Sequence, residues 1–586
     1  MKLKCKTIRR IPLIAPLAFL TGCDTAPEPK VFTSDTDKYA YVKAYMKWYI
    51  KQKMEDYDIM GLSVALVDDQ EIVWSEGFGY ADKEKGIQAT PQTKYRAGSI
   101  TKLFTAMAVM KLAEEGKMDI DKPFRRYLPE FSIKSRFGST DAITPRNMMT
   151  HHSGLPGDWL DRMFATNPLP YTEHVECIKN EYVAYPPNTI LSYSNLAVTL
   201  LGHSVEKISG MKYADYIDKV LLEPMEMKNA DLKMALSGKN ASKSYKKGEE
   251  TTEYPIGDVP AGALNVSVEE LSHLAMMINA GGVYNHHRVL KASTLEEMLA
   301  VQNKQIALDL DVEIGLGYFI DKNILDANNV AYNHGGLAVA QNAYFIVSPH
   351  SKLGVVVMAN IYGNDASVIA EELLKKAWEA KTGRTVPKKE SLTVKHDSDF
   401  EGTYTTVLGK AVITKSEKDH YTAQTDNGSF ALNKTKNNTY KLKYKLLGVF
   451  PISNDDLYEV SLYTDDVSGH HVIVAVMGER RFIGGVKVKK PAMIPKTWKS
   501  FAGHYRVLNN HEPKDFQIED VEIVIERGYL LEKMKVQSGK FLTKILKPIN
   551  DTEAIIEGLG RGIQETVYWE NGIMHAQGFR FEKISK

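Results

Sequence analysis

The sequence predicts an α+β domain, in which helices flank an antiparallel sheet, followed by two small antiparallel β-barrel-like domains. Two hairpin patterns, over residues 61–74 and 343–358, enclose a long region that is mostly helical and rich in loops. After Lys381 the pattern changes to short alternating segments separated by turn residues, which is typical of β-barrels and sandwiches. The chain has 586 residues, more than one ordinary core can organise.

A short internal echo indicates that the β region is duplicated. Phe400-Glu-Gly-Thr-Tyr404 recurs as Phe501-Ala-Gly-His-Tyr505, and each copy opens a segment of the length of a small barrel. Polar residues around Pro387 separate this region from the α+β domain, as a linker does. The predicted organisation is a signal peptide over 1–22, a tether over 23–36, the α+β domain over 37–381, a linker over 382–399, and barrel-like domains over 400–492 and 493–586.

The N-terminus resembles the export signal of a bacterial lipoprotein. A basic stretch up to Arg10 precedes an apolar stretch over 11–20, which is too short for a stable membrane span. Leu20-Thr21-Gly22-Cys23 resembles a lipobox, and this implies cleavage before Cys23 and attachment of lipid to its thiol. We therefore expect an exported protein of the cell envelope, anchored through Cys23 on the periplasmic or extracellular face of a membrane. The alternative is an ordinary cleaved signal, with Cys23 as a bystander.

Composition narrows the classes of partner. The 74 basic and 73 acidic residues give a formal net charge of +1, so the chain carries no electrostatic footprint for nucleic acid. A small molecule or a short peptide is the expected partner, and the oligomeric state stays open. Beyond residue 23 the cysteine is Cys177, so no internal disulfide is expected. His286-His287 and His470-His471 lack further ligands at metal spacing, and the sequence predicts no metal and no cofactor.

Ser99-Ile-Thr-Lys102 is an S-x-x-K motif at the start of a predicted helix. Ser99 would lie at the helix N-terminus and share a face with Lys102. A lysine held in a desolvated pocket shifts toward its neutral form and can take the serine proton. The motif alone does not decide the matter, because Ser204, Ser209 and Ser244 are followed by lysine at the same spacing.

Two further motifs follow in order along the chain. Tyr193-Ser194-Asn195 is a Y-x-N motif, and His334-Gly335-Gly336 precedes a predicted strand. This order and spacing resemble the serine β-lactamase and penicillin-binding-protein superfamily, specifically its class C-like branch of esterases, D-aminopeptidases and carboxypeptidases. Supporting stretches lie at 95–99, 143–156, 260–262 and 315–318, and the resemblance covers about residues 40–380.

The resemblance implies a role for each of these residues. Ser99 attacks the carbonyl carbon and becomes acylated, while Lys102 and Tyr193 share the proton transfers, including those of deacylation. Asn195 orients Lys102 and the substrate amide. The oxyanion hole, built from backbone N–H groups, and the adjacent substrate-binding strand are assigned to Ser99, Gly335, Gly336 and Leu337.

His334 departs from the commonest pattern of this superfamily. Many members carry lysine there, whose fixed charge suits a substrate carboxylate, whereas histidine is only partly charged at neutral pH. We therefore expect esters and amino-acid amides to be better substrates than β-lactams or peptides that end in D-Ala.

The predicted function is that of a serine acyl hydrolase acting through an acyl-serine intermediate on small esters, D-amino-acid amides or short peptides. A weak β-lactamase or D,D-carboxypeptidase is the close alternative. A binding or sensor lipoprotein with a vestigial hydrolase domain is the alternative from a different class. The β domains resemble the accessory barrels of D-aminopeptidases, which can narrow the site; a passive packing or wall-facing module is the other interpretation.

Overall fold

The computed structural model describes residues 26–27, 37–363, 366–388, 392–406, 409–417, 420–446, 450–452, 460–477, 480–536 and 541–584. The predicted signal peptide, the expected lipidation residue Cys23 and nearly all of the predicted tether lie outside these residues. Within the described part, none of the helices combines the length and the apolar character needed to cross a membrane.

The α+β domain contributes most of the helices. They are α1 (Ala40–Tyr57), α2 (Thr101–Glu114), α3 (Pro145–Met149), α4 (His174–Cys177), α5 (Asn195–Ser209), α6 (Tyr213–Ile217), α7 (Val259–Gly262), α8 (Val268–Asn279), α9 (Ala292–Leu299) and α10 (Ala366–Thr382). Its strands are β1 (Gly61–Asp68), β2 (Glu71–Asp82), β3 (Ile87–Gln88), β4 (Tyr95–Arg96), β5 (Ser244–Lys246), β6 (Glu249–Thr251), β7 (Asn265–Val266), β8 (Val283–Tyr284), β9 (His287–Arg288), β10 (Glu313–Ile314), β11 (Phe319–Asp321), β12 (Ala331–Ala338), β13 (Gln341–Ser348) and β14 (Leu353–Ala359).

An antiparallel sheet forms the centre of this domain. Within the described residues its spatial order is β10-β11-β12-β13-β14-β1-β2-β3. Both predicted hairpins are present, as β1 with β2 and β13 with β14, and they join through β1 and β14, where Leu62 lies opposite Ala359. Segments from both ends of the domain therefore meet in the middle of one sheet.

The sheet is buried on both faces because its strands alternate between two helical layers. In β1, Leu62, Val64 and Leu66 pack in the cluster that contains α1 and α10. Ala65 and Val67 point the other way, into the larger cluster that contains α2, α5 and α8. This arrangement confirms the predicted class of an antiparallel sheet flanked by helices.

The first β-barrel follows the linker region. Its strands are β15 (Gly402–Thr406), β16 (Gly409–Glu417), β17 (His420–Thr425), β18 (Gly428–Lys434), β19 (Tyr440–Leu446), β20 (Phe450–Ile452), β21 (Val460–Val467), β22 (His470–Met477) and β23 (Arg480–Lys487). Pairing of β18 with β19 closes eight of them into a barrel, and β20 extends β19 as a hairpin outside the closure.

The second barrel is closed by eight strands, preceded by the short helix α11 (Trp498–Phe501). The strands are β24 (Gly503–Val507), β25 (Ile518–Glu526), β26 (Tyr529–Val536), β27 (Phe541–Pro548), β28 (Glu553–Ile556), β29 (Thr566–Glu570), β30 (Ile573–Ala576) and β31 (Phe579–Lys583). Two barrels after the α+β domain confirm the rest of the predicted fold class.

The sequence echo has a structural counterpart at the first strand of each barrel. Gly402 has a φ of 141°, and a Cβ placed on it would lie 2.7 Å from Cε of Lys487. Gly503 has a φ of 140°, and its Cβ would lie 2.8 Å from Cε of Lys583. Both positions favour glycine because L side chains rarely adopt this φ, and at each one the end of a lysine from the last barrel strand lies over the backbone. The two barrels therefore repeat one opening geometry.

The second barrel is hydrogen-bonded to a loop of the α+β domain. The N–H of Leu160 donates to the carbonyl of Gln577 at 3.1 Å. The N–H groups of Met163 and Phe164 donate to the two carboxylate oxygens of Glu512, at 2.7 and 3.0 Å. These contacts fix the loop of residues 157–164, which leads directly to the candidate site.

Candidate active site

The candidate nucleophile Ser99 lies in a 3-10 turn, Gly98–Ile100, that runs into α2. Gly98 has a φ of 51°, in the left-handed region that favours glycine. A Cβ at Gly98 would lie 2.8 Å from the backbone nitrogen of Leu337, so β12 passes directly beside the turn. Ser99 is half-buried, whereas Gly98 and Ile100 on either side are buried.

Lys102 is held beside Ser99 in a nearly solvent-free position. Its Nζ lies 3.0 Å from Ser99 Oγ and donates to the carbonyl of Ala261 at 2.7 Å. Only 2% of the residue is exposed. Burial and, to a smaller extent, the positive charge of Arg561 lower the pKa of the Lys102 amine to about 7. Near neutral pH the amine therefore exists in both forms and can accept the proton of Ser99.

Tyr193 lies close to both the serine and the lysine. Its hydroxyl is hydrogen-bonded to Ser99, and its ring centroid is 5.0 Å from Lys102 Nζ. Burial raises the pKa of the Tyr193 phenol, so the group is protonated at neutral pH and available as a proton donor. Serine, lysine and tyrosine therefore form one connected group, with a shared proton path.

The imidazole of His151 packs against the ring of Tyr193. The two ring centroids are 4.1 Å apart, and His151 Nδ1 accepts from the N–H of Ser194 at 3.2 Å. His151 has a φ of 60°, a left-handed conformation that is uncommon among residues other than glycine. Burial lowers the pKa of its imidazole well below the usual value, so the ring is neutral. It contributes packing and a hydrogen bond to the site, not charge.

Asn195 begins α5, and its side chain contacts a different residue from Lys102, the partner that the family resemblance implies. Its amide nitrogen donates to Asp158 Oδ1 at 2.7 Å. Within the described residues, the hydrogen bonds of Lys102 Nζ go to Ser99 and Ala261. The physical reason is that a carboxylate, a stronger acceptor than a neutral group, lies within reach of the amide.

His334 lies in β12 and is 3% exposed. Its Nδ1 donates to the carbonyl of Gly335 at 2.6 Å, and its ring lies 6.3 Å from that of Tyr193. Burial lowers the pKa of His334 to about 3, and the nearby Lys102 amine acts in the same direction. His334 is therefore neutral at physiological pH, and β12 presents no fixed positive charge at this position.

The predicted oxyanion donors lie on adjacent backbone segments. A Cβ at Gly336 would lie 1.8 Å from the carbonyl oxygen of Ala97 and 3.3 Å from the nitrogen of Ser99. Gly336 thus permits the close approach of β12 to the nucleophile turn. A Cβ at Gly335 would lie 3.6 Å from the ring of Tyr344, and Leu337 is 45% exposed to solvent.

The sequence did not reveal two residues of the site, Arg561 and its partner Asp158. Arg561, from the loop between β28 and β29 of the second barrel, donates Nη2 to both oxygens of Asp158 at 2.8 and 2.7 Å, and Nε to Oδ2 at 3.0 Å. Its guanidinium lies 5.2 Å from the ring centroid of Tyr193. The available signal was an arginine set among glycines, Gly558-Leu-Gly-Arg-Gly562, in a region otherwise read as strands.

Two further buried histidines of this domain are paired with carboxylates. His174 Nε2 lies 3.0 Å from Asp258 Oδ1, and His152 Nε2 lies 2.8 Å from Asp309 Oδ2, each pair buried. Cys177 is half-buried, and burial raises the pKa of its thiol to about 11, so the thiolate is scarce at neutral pH. Among the described residues, no group of three or more His, Cys, Asp or Glu side chains is placed to hold a metal ion.

Comparison with known proteins places this geometry in a family. A family model described as Beta-lactamase matches residues 47–377. Protein flp of Staphylococcus aureus strain MW2 is 24% identical over 332 residues, which are 55% of this chain and 64% of that protein. The chain therefore spans less than two thirds of this curated relative.

Two solved structures have the same fold. The octameric penicillin-binding protein homologue from Pyrococcus abyssi has a TM-score of 0.52 at 24% identity and covers 75% of this chain and 99% of its own. The structure of SurE with D-Leu has a TM-score of 0.55 at 18% identity and covers 76% and 99%. Because the family model spans more than half of the 586 residues, the chain belongs to the serine β-lactamase and penicillin-binding-protein superfamily.

Proposed function

We propose that the protein is a serine acyl hydrolase that works through a covalent acyl-serine intermediate at Ser99. The observation that carries this proposal is the buried Lys102 amine, 3.0 Å from Ser99 Oγ, with a pKa lowered to about 7. A group poised near neutral pH is suited to remove a proton from a hydroxyl nucleophile.

Acylation begins with proton transfer from Ser99 Oγ to neutral Lys102. The serine oxygen then forms a bond to the substrate carbonyl carbon, and the negative charge moves to the carbonyl oxygen. The backbone N–H groups of Ser99 and Leu337, on the adjoining segments described above, stabilise this oxyanion.

Collapse of the intermediate breaks the bond to the leaving group. Tyr193 donates its phenolic proton to the departing oxygen or nitrogen and regains a proton from the Lys102 ammonium. In deacylation the same pair takes a proton from water as the water oxygen bonds to the acyl carbon. The bond between the acyl carbon and Ser99 Oγ then breaks, and the pair returns the proton to Oγ, which becomes a hydroxyl again. Within each half-reaction the pair gives up the proton that it takes, so Lys102 and Tyr193 end each half-reaction in their starting forms.

The proposed substrates are small esters, D-amino-acid amides and short peptides. Neutral His334 supports this choice, because β12 carries no fixed charge at the position that suits a substrate carboxylate. The fold neighbour SurE has been solved with D-Leu, which motivates D-amino-acid derivatives as test compounds.

A turnover panel tests the proposal. Nitrophenyl esters, D-amino-acid amides and nitrocefin are compared on the wild type and on Ser99→Ala. We expect turnover of esters or amides that Ser99→Ala abolishes. Preferential turnover of nitrocefin would favour the β-lactamase alternative, and equal inactivity of both proteins on every compound would favour a binding or sensor role.

We also propose that the protein is exported and anchored in the cell envelope by lipid on Cys23. The support is the lipobox-like segment that ends at Cys23 after a basic and an apolar stretch. Labelled palmitate fed to cells should enter the wild type and not Cys23→Ser. Equal labelling of both, or of neither, would contradict the anchor.

A further inference from the structure

The second barrel places one cation in the catalytic centre. Arg561 is paired to Asp158 through three hydrogen bonds of 2.7–3.0 Å, the planar fork geometry in which arginine binds a carboxylate most specifically. The guanidinium also lies 5.2 Å from the Tyr193 ring centroid. Its side chain is 45% exposed to solvent.

Docking contacts fix the loop that carries this arginine. The hydroxyl of Tyr185 donates to the carbonyl of Gly560 at 3.0 Å and accepts from the N–H of the same residue at 2.9 Å. Glu565, buried at the end of the loop, accepts from the N–H of Gly157 at 2.8 Å. Gln577 holds the other oxygen of Glu565 at 2.6 Å. The position of Arg561 is thus set by the α+β domain as well as by its own barrel.

Asp158 connects the arginine to the Y-x-N motif. It accepts from the side chain of Asn195 at 2.7 Å, while the N–H of Asn195 donates to the carbonyl of Gly157 at 2.8 Å. Asn195 begins α5 only two positions after Tyr193. A displacement of the barrel loop that carries Arg561 would therefore be transmitted to the Tyr193 phenol through the Asp158 carboxylate and the Asn195 amide.

We propose that Arg561 is a positioning residue for the reaction, supplied by the second barrel, and that with Asp158 it holds Tyr193 and Asn195 in working geometry and sets the electrostatic field at Lys102. This inference rests on the proposed serine acyl hydrolase function. It gives the second barrel a specific part in the reaction, in contrast to a passive packing module.

The charges around Lys102 support an electrostatic part of this role. Arg561 lowers the pKa of the Lys102 amine, while Asp158 and Asp258 raise it. The neighbouring imidazoles of His151 and His334 are neutral, and the Tyr193 phenol is protonated. Among the described groups that face Lys102, Arg561 is therefore the permanent cation, at a site where the third motif supplies none.

A double-mutant cycle that neutralises each charge of the Arg561–Asp158 pair in the full-length protein tests the proposal. Arg561→Gln, Asp158→Asn and the double variant are compared with wild type in kcat and KM across pH, with an ester that the wild type hydrolyses. Arg561→Gln should lower kcat roughly 10- to 100-fold with little change in KM. It should also move the acid limb of kcat/KM to higher pH, because Lys102 then holds its proton more tightly.

The partner variants should behave differently. Asp158→Asn should move the acid limb to lower pH, and the double variant should return it close to the wild-type position, since one charge of each sign is gone. Arg561→Lys should keep the limb near the wild-type position while recovering only part of kcat, because lysine retains the charge without the fork. Arg506→Gln, an exposed arginine of the same barrel paired with Glu582, is the matched control and should resemble wild type.

Two outcomes overturn the proposal. One is a normal kcat and an unmoved acid limb in Arg561→Gln. The other is a change confined to KM for substrates that carry a carboxylate, which would make Arg561 a substrate-binding residue. Thermal unfolding of each variant, with Arg561→Lys as the folded reference, separates these results from misfolding. If Ser99→Ala is inactive while Arg561→Gln is normal, only this inference fails and the proposed function stands.

Discussion

Lys102 is the residue on which the proposed chemistry depends most. A lysine at the protein surface is protonated throughout the physiological range, and an ammonium group cannot accept the serine proton. The 2% exposure of this residue removes the hydration that stabilises the charge. Enclosure between Ser99, Tyr193 and the Ala261 carbonyl still leaves it two hydrogen-bond acceptors.

The pH dependence of the reaction follows from this pKa. Because the base is the neutral amine, kcat/KM should fall as pH decreases through about 7, with one proton taken up per active site. Lys102→Arg should abolish this limb and lower kcat/KM by roughly 100-fold or more, since guanidinium stays charged. A pH–rate profile on an ester measures both, with Lys111→Arg, a lysine later in α2, as control. An acid limb that persists unchanged in Lys102→Arg would contradict the assignment.

At the scale of elements, the turn that carries Ser99 and the strand β12 approach each other closely at Gly98 and Gly336. Gly336→Ala would place a Cβ 1.8 Å from the Ala97 carbonyl, so β12 must move away from Ser99. We expect kcat/KM to fall roughly 100-fold, the order seen when an oxyanion donor is lost. Steady-state kinetics on an ester measures this effect, and thermal unfolding of the variant excludes loss of the folded structure as its cause.

The neighbouring glycine provides a comparison for this prediction. Gly335→Ala would place its Cβ 3.6 Å from the Tyr344 ring, an ordinary contact that requires no movement of the strand. Its loss of activity should be clearly smaller than that of Gly336→Ala. Equal effects from the two substitutions would mean that the close approach of β12 is not what the site requires.

Local pattern predicted the helix that carries the first motif and two hairpins of the central sheet. The helix after Ser99 and the hairpins of β1–β2 and β13–β14 follow from apolar periodicity and turn residues, and all three are present. The side-chain partner of Asn195 did not follow from pattern. It depends on Asp158, which lies in a loop with no periodic signal and acquires its place through contacts with the second barrel.

At the scale of the whole molecule, the second barrel is part of the site. The echo that begins at Phe400 and Phe501 predicted two barrels but carried no information on how they dock. Arg561 lies 403 positions from its partner Asp158, and no spacing rule in a single sequence connects such residues. Docking depends on side chains such as Glu512 and Tyr185, whose role is visible only in three dimensions.

Coupling between barrel docking and catalysis can be measured through Tyr185. Tyr185→Phe removes a hydroxyl that bonds both the N–H and the carbonyl of Gly560, with an expected loss of about 1–3 kcal/mol in stability. We expect Tyr185→Phe to lower kcat when it is introduced into the wild type, and to change kcat little when it is added to Arg561→Gln. Kinetics on the four proteins gives the coupling energy. Additive effects of the two substitutions would show that docking and the arginine act separately.

The central claim is a covalent acyl group on Ser99, and intact-protein mass spectrometry tests it most directly. The protein is mixed with an activated ester, quenched in acid and weighed, and the modified peptide is sequenced. Tyr193→Phe should accumulate an adduct of the acyl mass on the peptide that contains Ser99, because deacylation loses its proton donor and acceptor, and Ser99→Ala should show none. An adduct that appears equally in Ser99→Ala, or that maps to another residue, would contradict the account.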